Sequence, residues 1–382
     1  MGGVQFSTFY LVQELKRTTN IKIQLLLPGY GPFSELCERE SIEFSIYKSQ
    51  PMLSSSSSIL QDTIRLINPV SWVINIGRII YNSNQIRKII RQYPNAIILT
   101  KGLYSHIILS FAKRSIANKL IWHLQDLLSN RFGGILNKIL NLLATFGTNF
   151  IICDGRSIYD SLSPINQKKA KTILNGIDST KFQRTQELRK IGRQEFNVPI
   201  DSYIIGHVGR ITPWKGQIKL VEAFIDYLPR NNKAILILVG APTFDSDKYL
   251  NDIKKLINEH KLKDRIILTG YRTDLNKMYS MMDLFIYPSL EKDTSPLALL
   301  SALSSGLPVA ISSIESLKEI IGNFSRIPIF NPNKKSEITL VYKQFESEQL
   351  RYEISQLISR NFNTQLDMET HVRKMMEVFD SI

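Results

Sequence analysis

The chain has 382 residues, 43% of them hydrophobic, which is enough to build two packed domains rather than one. Its net charge of +14 favours anionic partners: nucleic acid, phosphorylated metabolites or an anionic membrane face. The basic residues are spread widely, without a dense run interleaved with aromatic residues, and this pattern disfavours nucleic acid.

The first predicted element is a phosphate-approach loop at Gly2-Gly3, followed by a helix over residues 6–16. In an α/β protein such a loop follows a strand, but only Met1 precedes it here. Omitting a central strand would leave neighbouring backbone groups unpaired, at about 1–3 kcal/mol for each buried group. We therefore expect that Met1 is not the biological start, or that the chain is a truncated copy with a damaged N-terminal domain.

Short apolar runs then alternate with longer helical stretches along the chain. Several runs are apolar at consecutive positions, which is typical of strands buried on both faces of a parallel sheet. Strands separated by helices predict crossover connections and a doubly wound α/β fold. The predicted strands lie in residues 21–29, 42–48, 96–102, 119–126, 149–155 and 171–176, and then in residues 203–210, 234–240, 265–271, 284–290 and 308–312.

These two sets of strands predict two Rossmann-like domains that face a central cleft. Polar and charged residues cluster at residues 175–192, where we place the boundary. We therefore predict an N-terminal domain over residues 1–185 and a C-terminal domain over residues 186–361. Residues 362–382 carry an apolar stripe at helical spacing and predict a terminal helix.

The strongest local signal is HVGRITPWKGQ at residues 207–217, where a strand ends and a helix begins. It places Arg210 and Lys215 beside a helix N-terminus, whose backbone N–H groups attract anions. Arginine binds two phosphate oxygens at once and lysine acts as a point charge, so this basic loop suits a pyrophosphate. The alternative is a solvated turn that carries two surface cations.

A second signal lies at residues 287–312, where a strand is followed by an acidic loop and by a helix from about Pro296. Backbone N–H groups near Ser295 and Leu297 would face the same cleft, and Asp293 could accept hydrogen bonds from sugar hydroxyls. The alternative is that Asp293 and Ser295 only cap the helix, whose first turn suits a proline.

Together these stretches resemble family 4 of the retaining glycosyltransferases, whose fold is called GT-B. The resemblance covers nearly the whole chain, and the subgroup it looks most like builds bacterial cell-surface polysaccharides such as lipopolysaccharide and exopolysaccharide. The motifs that carry it follow the family's order and spacing: ILNGID, GRITPWKGQ, DRIILTGYRTDL, FIYPSL and SALSSGLPVAIS.

The resemblance implies an acceptor-side N-terminal domain, a C-terminal domain that binds the nucleotide sugar, and a terminal helix that crosses back to the N-terminal domain. It also implies roles for individual residues. Arg210 and Lys215 sit where the family holds the donor diphosphate, and His123 sits where a family histidine touches the donor sugar near the reacting centre. The alternative for His123 is a core residue at a strand end. Lys101 and Asp126 are expected to contact the acceptor. The further donor-binding residues are Gly2, Gly3, Gly209, Ser295, Pro296, Leu297 and Ser301, with Asp293 in the catalytic set.

One departure concerns two family glutamates that are separated by seven residues. Aligned through Pro296, the first position is Asp293, which keeps the charge, and the second is Ser301. In the family the second carboxylate binds ribose hydroxyls. A charge-assisted bond contributes about 1.5–3 kcal/mol against about 1 for a neutral one. The expected loss of donor affinity is therefore up to roughly tenfold to thirtyfold.

The implied reaction moves a sugar from a UDP- or GDP-linked donor to a hydroxyl of a glycan or lipid-linked glycan, with retention of configuration. We expect the departing diphosphate to be stabilised electrostatically and to accept the acceptor's proton. We expect no metal and no other cofactor, since two cations can replace a divalent ion and no His/Cys cluster shows metal spacing.

We expect a cytoplasmic protein attached peripherally to the inner face of the cytoplasmic membrane. No leader and no run of 18 apolar residues is seen, and two cysteines are too few for a disulfide framework. Helical stretches at residues 78–92 and 131–147 combine apolar and basic residues, as interfacial helices do. The alternative is ordinary packing on the sheet.

Two other classes of function stay open. Ser301 and the missing strand are compatible with a binding or scaffold protein that kept the fold but lost turnover. The net charge alone motivates the third class, a nucleic-acid binder.

Overall fold

The structure is a computed structural model that describes residues 2–53, 56–58, 65–67, 69–113, 115–126, 134–243, 246–291, 293–322, 324, 326–362 and 366–382. The chain divides into two compact units. Unit 1 comprises residues 1–173 with residues 374–382, and unit 2 comprises residues 174–373. Each unit is built from parallel strands and helices, which confirms the predicted α/β class with two Rossmann-like domains.

Unit 1 is made of short strands and helices. The strands are β1 (Leu25–Leu27), β2 (Phe44–Ile46), β3 (Ser56–Ser58), β4 (Arg65–Ile67), β5 (Ile98–Lys101), β6 (Leu120–Leu124), β7 (Phe150–Cys153) and β8 (Ala170–Thr172). The helices are α1 (Gly3–Thr18), α2 (Pro32–Arg39), α3 (Pro69–Ile90), α4 (Leu103–Lys113), α5 (Ile135–Gly147), α6 (Arg156–Asp160) and α7 (Pro164–Gln167).

The parallel strands of unit 1 belong to two separate sheets. Strands β5, β6, β7 and β8 pair in that order, β1 pairs with β2, and β3 and β4 form an antiparallel pair. Within the residues that the structure describes, β1 and β5 do not pair with each other. The larger core lies under the four-stranded sheet and includes Trp122, Ile108, Leu140 and Ile151.

Unit 2 has a single sheet whose described strands are all parallel, in the order β11-β10-β9-β12-β13-β14. The strands are β9 (Tyr203–Val208), β10 (Ala234–Val239), β11 (Ile266–Gly270), β12 (Leu284–Tyr287), β13 (Val309–Ser312) and β14 (Ile329–Phe330). The helices are α8 (Gln186–Glu195), α9 (Gln217–Tyr227), α10 (Asp247–Glu259), α11 (Leu275–Met281), α12 (Leu297–Ser304), α13 (Glu315–Ile321), α14 (Lys335–Gln344) and α15 (Glu348–Asn361). Short 3₁₀ turns span Ser179–Lys181, Pro213–Lys215 and Leu228–Arg230.

The sheet of unit 2 follows directly from the apolar runs in the sequence. Every residue of β9, β10, β12 and β13 is buried, as expected for strands covered on both faces. Tyr203 lies opposite Ala234 and Ile205 lies opposite Leu284, so β9 stands between β10 and β12. The carboxyl end of β9, where the basic loop begins, is therefore central in the sheet.

The boundary between the units differs from the predicted one at residue 185. The Ile177 N–H donates to the Leu366 carbonyl at 3.0 Å, and the Met368 N–H donates to the Ile177 carbonyl at 3.2 Å. These bonds tie the polar boundary segment into unit 2, which begins at Leu174. The last helix, α16 (Met368–Asp380), starts in unit 2, and its residues from position 374 on belong to unit 1.

Two predicted local features also take a different form. The Gly2-Gly3 stretch is the start of α1 rather than a separate loop, since the Gly2 N–H donates to Gln5 Oε1 at 2.8 Å. In the predicted helix at residues 131–147, Arg131 and Phe132 lie outside the described residues. Leu136 and Leu143 pack against the core, whereas Ile139 is exposed.

Candidate active site

The basic loop of unit 2 is fixed by close backbone contacts. It leaves β9 at Gly209, makes the 3₁₀ turn at Pro213–Lys215 and enters α9 through Gly216. Gly216 has φ +71°, and a Cβ there would collide with the carbonyl oxygen of Pro288, so only glycine fits this approach. The loop is therefore held against the carboxyl end of β12.

Lys215 lies inside this loop with all three N–H donors of its ammonium group engaged. Nζ donates to both carboxylate oxygens of Asp293 at 2.7 Å and to the hydroxyl of Tyr287. It also lies 4.4 Å from the ring centroid of Trp214. Lys215 is 6% exposed and Asp293 is 7% exposed, so the structure joins two predicted site residues in one buried ion pair.

Asp293 is held in turn by two serine side chains, one at its carboxylate and one at its backbone carbonyl. The Ser289 hydroxyl donates to the carboxylate, and the Ser316 hydroxyl donates to the Asp293 carbonyl. Burial lowers the pKa of Lys215, while the charge of Asp293 and its hydrogen bond act in the opposite direction. The carboxylate therefore favours the charged ammonium in a position where burial favours the neutral amine.

Arg210 differs from Lys215 in its access to solvent. Its side chain is exposed, with the guanidinium carbon 5.7 Å from the Trp214 ring centroid. The Gln217 side-chain amide fixes the backbone here by donating to the Arg210 carbonyl at 2.7 Å. An anion could thus reach Arg210 directly, but it could bind Lys215 only by replacing an acceptor that already occupies its ammonium group.

The start of α12 is tied to the beginning of unit 2. The Asn175 backbone N–H donates to Ser295 Oγ at 3.0 Å, and its side-chain amide donates to the Ser295 carbonyl at 3.0 Å. Pro296 is the N-cap and Leu297 is the first helical residue, close to the predicted start. Ser301 lies on the same helix and is 3% exposed.

A second polar cluster, the unit 1 network, lies at the carboxyl ends of β5, β6 and β7. His123 Nε2 lies 2.5 Å from Asp154 Oδ1. The Gln125 amide donates to Asp154 Oδ2 at 2.9 Å and to Ser7 Oγ at 2.9 Å, and Lys101 Nζ donates to Ser7 Oγ at 3.1 Å. The predicted residues His123 and Lys101 therefore share one network.

Burial controls the ionisation of this network. It lowers the pKa of Lys101 to about 8 against the opposing charge of Asp154, and it lowers the pKa of His123. Burial alone would raise the pKa of Asp154, but His123 and Lys101 outweigh it, so that pKa is lowered. The carboxylate is charged and the His123 ring is completely enclosed, at 0% exposure.

Sequence reasoning missed the residues that hold the predicted ones in place. Tyr287, Ser289, Gln125 and Asp154 were not singled out, although each lies at or just beyond the carboxyl end of a strand. Asp126 is exposed, and its predicted acceptor contact stays a prediction. Within the described ranges, no three His, Cys, Asp or Glu side chains are placed to hold a metal ion.

The C-terminal half of the chain matches a known protein family. Residues 189–370 match the family described as Glycosyl transferases group 1. These residues form a glycosyl transferases group 1 domain. The resemblance seen in the sequence is thereby confirmed for the part of the chain that contains Arg210, Lys215, Asp293 and Ser301.

Curated relatives of this chain are bacterial and archaeal glycosyltransferases. The UDP-Gal:alpha-D-GlcNAc-diphosphoundecaprenol alpha-1,3-galactosyltransferase of Escherichia coli is 28% identical over 196 residues, 50% of this chain and 49% of the relative. The alpha-monoglucosyldiacylglycerol synthase of Streptococcus pneumoniae is 28% identical over 179 residues, 45% of this chain and 39% of the relative. The chain thus spans about half the length of the curated relatives it matches, or less.

Solved structures share the fold over the full length of this chain. Anabaena HepE in complex with UDP and glucose has a TM-score of 0.84 at 18% identity, covering 100% of this chain and 96% of that one. A glycosyltransferase from Rickettsia africae has a TM-score of 0.79 at 19% identity, covering 100% and 95%. The likeness confirms the predicted GT-B fold.

Proposed function

We propose that this protein transfers a sugar from a nucleoside diphosphate sugar to a hydroxyl of a glycan or lipid-linked glycan, with retention of configuration. The observation that carries the proposal is the position of the Lys215 ammonium. It is held in the loop that follows β9, a central strand of the unit 2 sheet, and the exposed Arg210 lies in the same loop. The relatives support the donor class, since the E. coli enzyme is named for UDP-Gal and the HepE crystals contain UDP.

The diphosphate is proposed to bind in two steps, because the two cations differ in access. Arg210 is exposed and can bind phosphate oxygens in a bidentate manner without any rearrangement. Lys215 must first release one of its present acceptors, two of which belong to Asp293. Release of an Asp293 oxygen would leave that oxygen able to accept a donor hydroxyl, the role proposed for it from the sequence.

The proposed chemistry is a single group transfer that needs no protein nucleophile. The acceptor oxygen forms a bond to the anomeric carbon while the bond from that carbon to the diphosphate breaks, and a diphosphate oxygen takes the acceptor's proton. Arg210 and Lys215 stabilise the charge that develops on the diphosphate. Groups placed in this way typically contribute about 2.7–4 kcal/mol each.

Unit 1 is proposed to supply the acceptor side of the reaction. His123 is proposed to face the donor sugar, with its ring orientation set by Asp154 at 2.5 Å. Lys101 and Asp126 are proposed to contact the acceptor.

The test is release of a nucleoside diphosphate from a panel of UDP- and GDP-linked sugars, measured for the wild type, Arg210→Ala and Lys219→Ala. Arg210 is exposed, so its substitution should leave the fold intact while kcat/KM falls about 100-fold or more. The matched control is Lys219, which lies on α9 just after the basic loop and pairs there with Glu222. Its substitution should leave kcat/KM unchanged. Equal rates for all three proteins would remove the diphosphate from this loop.

A second candidate is a binding protein that keeps the donor site without turnover. The observation that favours it is Ser301, buried on α12 where the resemblance expects a carboxylate. In that case UDP or GDP would raise the melting temperature of the wild type, but not of Arg210→Ala. No sugar nucleotide in the panel would be consumed by either protein.

A further inference from the structure

Unit 1 exposes apolar side chains on three helices that follow one another along the chain. Helix α4 packs against both α3 and α5, and it exposes Leu103 and Phe111. The helices on either side of it expose larger sets, which we call the α3/α5 apolar surface. The surface comprises Val70, Trp72, Val73, Ile76 and Ile80 on α3, and Ile135, Ile139, Leu142 and Phe146 on α5.

The first half of α3 has the reverse of the usual polarity. A helix on a protein normally buries its apolar stripe and exposes its polar face. Here the buried positions, among the residues that the structure describes, are Ser71 and Asn75, while Val73 is 71% exposed. The apolar side of this half-helix therefore faces outward.

Two asparagines of the inward face of α3 make specific bonds to the backbone of the preceding segment. Asn75 accepts from the Leu53 N–H at 2.8 Å and donates to the Leu53 carbonyl at 3.0 Å. Asn82 makes the same pair of bonds to Gln50, at 2.8 and 2.9 Å. These amides pair with the backbone as a neighbouring strand would. They fix the orientation of α3 together with Ile86 and Ile90, which pack into the core of unit 1 near the end of the helix.

The α5 side chains form a regular outer stripe. Ile135, Ile139, Leu142 and Phe146 recur at spacings of three or four residues and are 45–75% exposed. The opposite side of α5 already supplies Leu140 to the core of unit 1. The helix is thus apolar on two faces, and among the residues that the structure describes only one of these faces is covered.

The charge around this surface is strongly one-sided. Residues 69–147 contain ten lysines and arginines and one acidic residue, Asp126. This fifth of the chain therefore carries +9 of the net charge of +14. Lys88, Arg91 and Lys138 on or next to α3 and α5 are exposed. A second copy of the chain would bring the same positive charge to a shared interface, which opposes self-association through this face.

We propose that the α3/α5 apolar surface docks on an anionic lipid bilayer. Its apolar side chains would enter the headgroup region while the surrounding basic residues pair with anionic lipid headgroups. No helix of the described residues is long and apolar enough to cross a bilayer, so the contact proposed is one of lying on the membrane. It rests on unit 1 alone and goes beyond the proposed function.

Co-sedimentation with vesicles tests the proposal. The probes are vesicles of phosphatidylglycerol and phosphatidylethanolamine, and vesicles of phosphatidylcholine alone. We expect binding to the first and little to the second, with affinity falling as salt rises. The combined variant Val73→Ser, Ile76→Ser and Ile80→Ser should bind at least about tenfold more weakly, because the residues that enter the interface are gone.

A matched control uses exposed apolar residues elsewhere. Ile165 and Ile200 are 63% and 62% exposed and lie outside the α3/α5 apolar surface, so Ile165→Ser with Ile200→Ser should bind vesicles like the wild type. Arg210→Ala, which should keep its fold, should also bind vesicles normally, and this separates the proposal from the proposed function. Trp72 gives an internal probe, since vesicles should shift tryptophan emission to the blue in the wild type but not in Trp72→Phe.

Two results would overturn the proposal. Equal vesicle binding by the α3 variant and the control variant would show that this face does not meet the lipid. A wild type that sediments as a dimer, together with an α3 variant that sediments as a monomer and keeps its vesicle binding, would assign the surface to a second copy.

Discussion

Both units hold a lysine at the carboxyl edge of a parallel sheet, but they hold its ammonium group differently. Lys215 of unit 2 is 6% exposed and contacts both oxygens of Asp293 directly. Lys101 of unit 1 is partly buried and donates to the hydroxyl of Ser7. The carboxylate of the unit 1 network, Asp154, binds other side chains instead.

The difference shows what a carboxylate in direct contact does for a buried cation. Burial lowers the pKa of both lysines, and for Lys101 the result is about 8. The hydrogen bond and charge of Asp293 oppose that effect at Lys215. The two lysines thus differ in their contacts: Lys215 touches a carboxylate that favours its charged form, whereas Lys101 reaches Asp154 through Ser7 and Gln125 and has a pKa of about 8.

The largest expected effect comes from breaking the pair in unit 2. Asp293→Asn leaves the Lys215 ammonium buried beside a neutral amide, and breaking a buried pair costs about 3–5 kcal/mol of the free energy of unfolding. Urea denaturation at pH 7 measures this loss. Asp201→Asn is the control, because Asp201 pairs with Lys233 on the surface and its loss should not be detectable.

A double variant separates the pair from the site around it. Lys215→Met with Asp293→Leu removes both charges together, so most of the lost stability should return. If Asp293→Asn alone unfolded at the wild-type urea concentration, the carboxylate would not be what holds the lysine, and the contrast between the two units would disappear.

The next largest effect is a pH-dependent gain at Lys101. Between pH 8 and 10.5 the unfolded chain binds more protons at this lysine than the folded one, so the wild type gains stability as pH rises through that window. Lys101→Met removes the cost of burying the charge. It should therefore raise the free energy of unfolding by up to about 3 kcal/mol at pH 7, and by about 1 kcal/mol or less at pH 10.

Only the change with pH is diagnostic at Lys101, because the methionine side chain also alters packing. Urea unfolding of wild type and variant is therefore measured at pH 7 and at pH 10. The quantity to compare is the gain in free energy of unfolding at one pH against the gain at the other. The same gain at both pH values would mean that Lys101 does not titrate below its ordinary range, and that the two lysines are alike.

Much of the fold follows from the sequence because the strands are buried on both faces. The apolar runs at residues 203–210 and 234–240 contain β9 and β10, whose residues are all buried. The start of unit 2 could not be found in this way, since residues 174–185 are mostly polar and contain no continuous apolar run. They belong to unit 2 through backbone bonds such as that from Ile177 to Leu366, which join positions far apart in the chain.

The predicted site residues were found by type and by place, but their partners were not. Arg210 and Lys215 are signalled by the strand, loop and helix around them. That the ammonium is paired with Asp293 depends on a contact across 78 positions, which no local pattern encodes. Asp154 was missed for the same reason, since its role arises only where β6 and β7 lie side by side.

A smaller effect is expected within the unit 1 network. Gln125→Met removes the amide that donates to Asp154 at 2.9 Å and to Ser7 at 2.9 Å. A hydrogen bond to a charged group contributes about 1.5–3 kcal/mol, so the free energy of unfolding at pH 7 should fall by about that amount. Gln24→Met removes an exposed amide on unit 1 and serves as the control. Equal stability of the two variants would mean that Asp154 does not need this donor.

The smallest expected effect tests how the unit 2 ammonium exchanges its partners. Tyr287→Phe keeps the buried ring but removes one of the three acceptors of Lys215, at a cost of about 1 kcal/mol in stability. It leaves Asp293 in contact and gives one N–H of Lys215 no partner until a phosphate arrives. UDP should therefore bind the variant more tightly than the wild type by calorimetry, since no acceptor has to be displaced. Weaker binding would mean that the tyrosine hydroxyl contacts the nucleotide itself, and that the diphosphate does not enter by exchange at Lys215.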